Sequence, residues 1–178
     1  MIPFFLIVIA ISILAIIYIN NFNDLQYLKT KIEQAESVID EALRNKYDLI
    51  TKANSIIKKE LKSKKEYLKD LKSLKDLKIS NFDFDRKLIE YQSIINNLIS
   101  DHEKLNNNIE LTNTMYEIKT IDEKLISGKD YYNKNTTESN HLIRKFPSNI
   151  IAKLLNFKVR PYFDGKDMQD EDIEDFKL

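Results

Sequence analysis

The side chains able to do chemistry are few in this chain of 178 residues, which has no cysteine and only two histidines, His102 and His141. A thiolate nucleophile or a disulfide is therefore excluded. A metal site built between helices needs Glu-x-x-His pairs contributed by facing helices, with further carboxylates around them. Two histidines do not supply such a set, so both are expected to be satisfied or exposed. Paired carboxylates such as Glu33 and Glu36 read as charges on a helix surface. No Ser-His-Asp arrangement can be assembled. With two glycines in the whole chain, no phosphate-cradling loop is available either. No enzymatic activity, metal or cofactor is expected. Asn133 and Asn140 stand out for their spacing, since seven residues place them on one side of a helix. If that side is buried, the amides must be hydrogen-bonded, with Asp48 or Tyr132 as partners, and would fix helix register. Exposure and ligand binding are the other two readings.

Such residues must be positioned by elements, and composition bounds these. Lys and Arg total 28, as do Asp and Glu, so overall charge gives no reason to expect nucleic acid. Locally the balance breaks. Residues 58–78 hold nine Lys against four acids, and 164–175 hold seven acids against one Lys. Lys outnumbers Arg 24 to 4, a bias associated with AT-rich bacterial genomes. The basic stretch reads as a solvated face or a place for the acidic tail to dock. Asn135-Thr136-Thr137 matches a glycosylation sequon, a pattern too short to carry meaning alone.

MIPFFLIVIAISILAIIYI, residues 1–19, has no charged side chain; Phe4, Ile9, Leu14 and Ile19 sample its length, and Ser12 can bond back to the helix. At 1.5 Å per residue this is about 28 Å, close to the roughly 30 Å hydrocarbon layer. A helix apolar on every side would need protein all around it, and the remaining chain is too amphipathic to provide that. No basic residue precedes the run and no small-x-small cleavage pattern follows it, so an uncleaved single-pass anchor over 1–23 is expected in a cell membrane. Lys29 and Lys31 then favour a cytoplasmic C-terminal domain.

Beyond Asn20 and Asn21, Leu25, Leu28, Ile32, Ala35, Ile39, Ala42, Leu49, Ala53 and Ile56 recur at spacings of three and four, interrupted only by Lys46. After a phase shift the stripe continues through Ile57, Leu61, Leu68, Leu71 and Leu74, which predicts one helix from about 24 to the low 70s. ISNFDFD, residues 79–85, carries the capping residues Ser80, Asn81 and Asp83. A second helix is predicted from about Asp85 to KLNNN at 104–108, and a third from Ile109 through Gly128 to about Arg144. Short turns between long amphipathic helices predict an antiparallel up-down bundle over 24–163. The fold class is all-α, with an N-terminal transmembrane helix and a short C-terminal capping helix.

Pro147 must end the third helix and pushes Phe146 out of helical backbone. Ser148 can then cap a short helix, Asn149 to about Leu155, whose Ile150, Ile151, Leu154 and Leu155 fold back on the bundle end. Phe157, Tyr162 and Phe163 add aromatic cover, Pro161 keeps the chain extended, and the acidic residues 164–178 read as solvated or disordered. Replacing Phe146 and Phe157 by serine should destabilise the bundle by several kcal/mol if both are buried.

These residues also carry a resemblance. YYN at 131–133, Asn140, FPSNIIAKLLNFK at 146–158 and RPYF at 160–163 are similar to the C-terminal signature of the LemA family. Upstream, LRNKYDLI at 43–50, with Asp48, resembles that family's Leu-Lys-Arg-Arg-x-Asp-Leu-Ile segment. Thr51-Lys52-Ala53 stands where the family usually has Pro-Asn-Leu, and Ser139-Asn140 where a second Tyr-Asn pair is usual. The resemblance implies a membrane-anchored helical bundle with no established enzymatic activity. Family members are often encoded beside a membrane-embedded zinc metalloprotease, which associates them with envelope maintenance. The expected function is a non-catalytic interaction or scaffold module that meets the lipid bilayer and a protein partner. An adaptor of a membrane protease or envelope stress system is the alternative.

Overall fold

A computed structural model describes residues 1–62 and 65–164. Five α-helices account for most of them: α1 Ile2–Glu60, α2 Asn81–Asp101, α3 Glu103–Asn106, α4 Ile109–Arg144 and α5 Ser148–Leu154, with a one-turn 3₁₀ helix at Ser73–Asp76. No strand occurs among the described residues. The acidic residues after Asp164 lie outside them, and with them the expectation of a disordered tail.

The chain divides into two compact units, Glu36–Lys129 and a second made of Met1–Ala35 with the described residues from Asp130 onward. In Glu36–Lys129 the apolar stripe of α1 is the core: Ile39, Ala42, Leu43, Ile50, Ala53 and Ile57 are buried, as are Leu88 and Ile95 of α2 and Leu111, Ile118 and Leu125 of α4. Polar contacts fix the directions. Glu60 meets Asn108, Lys46 meets Asp122 and Glu41 meets Lys124, so α1 and α4 are antiparallel. Asp85 with Lys129 and Gln92 with Asp122 make α2 and α4 antiparallel too. Gly128 lies inside α4 at a close approach, where an added Cβ would stand 3.2 Å from Ile39 Cγ1.

The first helix ends earlier than its stripe predicts. Lys62 adopts φ 47° and stops α1, and the chain returns as an irregular leg rather than a helix. Leu68, Leu71 and Leu74 of that leg are nonetheless buried. Turns of 3₁₀ type also repeat every three residues, so an i, i+3 leucine pattern cannot distinguish them from a helix stripe. Two phenols secure the leg: Tyr47 Oη donates to the Leu71 carbonyl at 3.0 Å and Tyr91 Oη to that of Lys69 at 2.8 Å. The up-down alternation thus survives with a non-helical second leg, and α1 and α2 run in the same direction. Ser80 caps α2 by accepting the Asp83 N–H, and Asn108 caps α4 by accepting that of Leu111.

In the other unit, Leu25 of α1 packs with Ile151 and Ala152 of α5, surrounded by Leu142, Ile143, Leu155 and Phe157. α4 ends at Arg144, before a cis Phe146-Pro147 bond. Ser148 does not cap α5; it is the first helical residue, and its hydroxyl donates to Asn21 Oδ1. α5 closes with Asn156 at φ 57°, the Phe157 N–H bonded to Ala152 O and the Asn156 N–H to Lys153 O. This is a Schellman stop in which asparagine takes the position usually given to glycine. Only part of the predicted apolar face folds back. Ile151 is buried and Leu155 half-buried, while Ile150 and Leu154 are exposed, as is Phe146. The buried arc of this short helix runs through Ile151 and Ala152 to Leu155, which leaves Ile150 and Leu154 on the other side.

Candidate functional site

Several of the signature residues of the C-terminal half meet at one feature, a non-helical strap formed by Arg160–Phe163 and held by side chains of α4. A segment outside helix and sheet leaves its N–H and C=O groups in need of bonds. Asn140 is the strongest clasp: its Nδ2 donates to the Arg160 carbonyl at 2.7 Å while its Oδ1 accepts the Arg160 N–H at 2.9 Å. One helical heptad earlier, Asn133 Oδ1 accepts the Phe163 N–H at 2.9 Å. Between them Tyr132 Oη donates to the Pro161 carbonyl at 3.2 Å, and the Thr137 and Tyr162 hydroxyls meet at 3.2 Å. Pro161, which has no N–H, falls where α4 offers a donor rather than an acceptor. Tyr132 and Phe163 close the clasp edge to face, with ring centroids 6.4 Å apart.

Asn140 is 2% exposed, so its amide bonds are made away from water. Asn133 is half-buried, and both amides bond backbone of the strap rather than Asp48. Asp48 lies in the other unit and pairs with Lys75 at 2.9 Å, where Lys75 also sits over the Tyr47 ring. Arg160 reaches Glu33 of α1 at 3.6 Å. Nearby, Lys31 lies 4.3 Å from the Tyr27 ring centroid and 5.9 Å from that of Tyr131. Hydrogen bonding to Tyr27 holds its ammonium above the ordinary lysine pKa. Of the remaining signature residues, Pro147 and Phe157 are half-buried and Asn149 is exposed, its N–H bonded to Lys145 O at 2.8 Å.

A second cluster was visible in the sequence only as an interruption. Lys46 occupies a core position of the α1 stripe at 1% exposure and forms an ion pair with Asp122 at 2.6 Å. Asp122 also accepts from Gln92 Nε2 at 2.8 Å, and two turns away buried Asp85 pairs with Lys129 of α4. These groups line a recess of about 410 Å³ together with Ser93 and Asn96. Two ammoniums facing two carboxylates neutralise one another. The arrangement fixes the register of α1, α2 and α4. A lysine in an apolar stripe is itself the signal that an acidic partner must be near, since a buried charge is retained only when paired.

Glu138 does stand three residues before His141, the spacing of one half of a carboxylate-bridged metal site. Both are exposed, and among the described residues no group of three His, Asp or Glu side chains could hold a metal ion. The α1 segment containing Phe4, Ile9, Leu14 and Ile19 has a window of mean hydropathy 3.0, none of it covered by the rest of the chain. Ser12 bonds back to the Val8 carbonyl at 2.9 Å, which satisfies its hydroxyl donor within the helix.

The sequence model of the LemA family matches residues 35–174. No curated protein and no solved structure matches the chain.

Proposed function

Because the chain belongs to the LemA family, we propose that it is a single-pass membrane protein whose helical units act as a non-catalytic interaction or scaffold module beside the bilayer. The observation that carries this reading is the uncovered apolar segment of α1, which continues without a break into an amphipathic helix with a buried stripe. A surface of that hydropathy is not compatible with water, whereas as a helix it satisfies every backbone group in hydrocarbon. The charge pairs Lys46–Asp122 and Asp85–Lys129 and the amides of Asn133 and Asn140 are spent on structure, which supports a role without chemistry. The bilayer is one partner. A protein is the other, a membrane protease among the candidates, bound through the exposed faces of the helices. Lys29 and Lys31 orient the units toward the cytoplasm.

Three measurements test this. Full-length protein should stay with membranes through alkaline carbonate washing; release into the supernatant would remove the anchor. Crosslinking in intact membranes should give a defined partner band, and recovery of the chain alone would remove the scaffold reading. As the chain has no cysteine, Glu138→Cys offers a single thiol. It should resist an impermeant maleimide in intact cells, and labelling would reverse the orientation.

A further inference from the structure

The exposed side of α5 is not explained by packing. Ile150 and Leu154, one turn apart, are 60% and 73% exposed, and Phe146 just before the helix is 72% exposed. The opposite side, Ile151 and Ala152, is buried against Leu25 of α1. This is the pattern of a helix lying at a boundary, with one apolar side on protein and the other toward something equally apolar. Its height along α1 says what that is. The Ser148 hydroxyl bonds Asn21, the second polar residue after the uncharged segment, and Leu25 lies one turn farther on, about 6 Å along the axis. If the uncharged segment fills the hydrocarbon layer, α5 sits in the headgroup region, roughly 5 to 8 Å thick on each side of a bilayer. Tyr18 and Phe22, stacked with centroids 6.2 Å apart, mark the same level in α1 as interfacial aromatics do. Lys145, Lys153 and Lys158 around α5 are exposed, as suits a surface of anionic lipid.

We propose that α5 is a second membrane contact, a short interfacial helix that sets Phe146, Ile150 and Leu154 into the boundary between headgroups and acyl chains. This rests on the reading of α1 as an anchor. Helices of this kind bury their apolar side in the interface plane while basic residues stay with the phosphates. The contact ties the bundle end to the bilayer at a fixed depth, and α1 and α5 together define the level at which a partner would be met.

The chain has no tryptophan, so single reporters can be placed in the full-length protein. Leu154→Trp and Ile150→Trp, at exposed positions that tolerate a larger ring, would be reconstituted in phosphatidylcholine vesicles containing phosphatidylglycerol. Two matching sets of vesicles would carry lipid brominated near the headgroup end of its chains, to reach positions 150 and 154, or near the chain ends, to reach position 9 at about the mid-depth of the layer. Ile9→Trp serves as the anchor control. Blue-shifted emission from positions 150 and 154, with quenching by the brominated lipid, is the expected result. Quenching at position 9 with red, unquenched emission at 150 and 154 overturns the interfacial helix and leaves the anchor standing. A blue shift at 150 and 154 without quenching also overturns it, by showing that protein covers the face. No quenching at position 9, whatever α5 does, removes the anchor itself.

Discussion

The ion pair of Lys46 and Asp122 gives the sharpest test of how the helices are registered, because its two members are buried to different degrees. The Lys46 side chain is 2% exposed and that of Asp122 27%. Removing one partner of a buried pair costs about 3 to 5 kcal/mol because the other charge is left uncompensated. Asp122→Ala strands an ammonium with almost no access to water, so the full penalty of about 3 to 5 kcal/mol is expected. Lys46→Met leaves a carboxylate that still reaches solvent and still accepts from Gln92. Its expected loss is on the scale of one charged hydrogen bond, about 1.5 to 3 kcal/mol. Replacing both, as Lys46→Met with Asp122→Leu, should recover much of the loss, since apolar substitutes for buried pairs are often neutral or better. Urea titration of the full-length protein in mild detergent, followed by the helical circular dichroism signal, reads all three. If Asp122→Ala costs no more than Lys46→Met, or if the double variant loses the sum of the single costs, the pair is not the buried register element described here.

Other outcomes follow from single contacts. Asn140→Ala leaves the Arg160 N–H and carbonyl without their partners, a loss of about 1 to 3 kcal/mol, and should speed amide exchange at Arg160 and tryptic cleavage after Lys158; unchanged protection would show that the strap is held by other contacts. Gly128→Leu must displace the Ile39 side chain and should destabilise by about 1 to 3 kcal/mol, whereas Gly128→Ala should stay within about 1 kcal/mol of the parent because it gains helix propensity. Burial raises the pKa of the Tyr91 phenol. Since the neutral form is favoured in the fold, its contribution is complete below the unfolded tyrosine value near 10 and is lost as pH rises through the raised one. Tyr91→Phe should therefore be less stable by about 0.5 to 1.5 kcal/mol at neutral pH, and the gap should close in alkali. A gap that is constant with pH would refute the assignment.

Much of the fold could be read from periodicity. The stripe from Leu25 to Ile57 is buried nearly position by position, α4 runs from Ile109 to Arg144 as its pattern predicts, and Ser80 caps where it was expected to. What failed did so where two structures share a period. Leucines at 68, 71 and 74 repeat at three whether the chain is helical or a run of tight turns, and no proline or glycine marked the change. The strap was legible as conspicuous residues but not as a mechanism. Spacing placed Asn133 and Asn140 on one side of α4, yet that they bond a segment some twenty to thirty positions later depends on the reversal at Pro147. Lys46 shows the converse case, in which the exception to the pattern was the informative residue.

The return leg between Lys65 and Ser80 also bears on how such a chain can drift. Its buried hold on the rest of the unit comes from three leucines and from two phenols that grip carbonyl oxygens, which every residue type possesses, with the exposed Lys75–Asp48 pair adding little. The lysines lying between those anchors are exposed. Mutational pressure that exchanges one polar codon for another can therefore accumulate here at little thermodynamic cost, and relatives can diverge along this leg while keeping the same architecture.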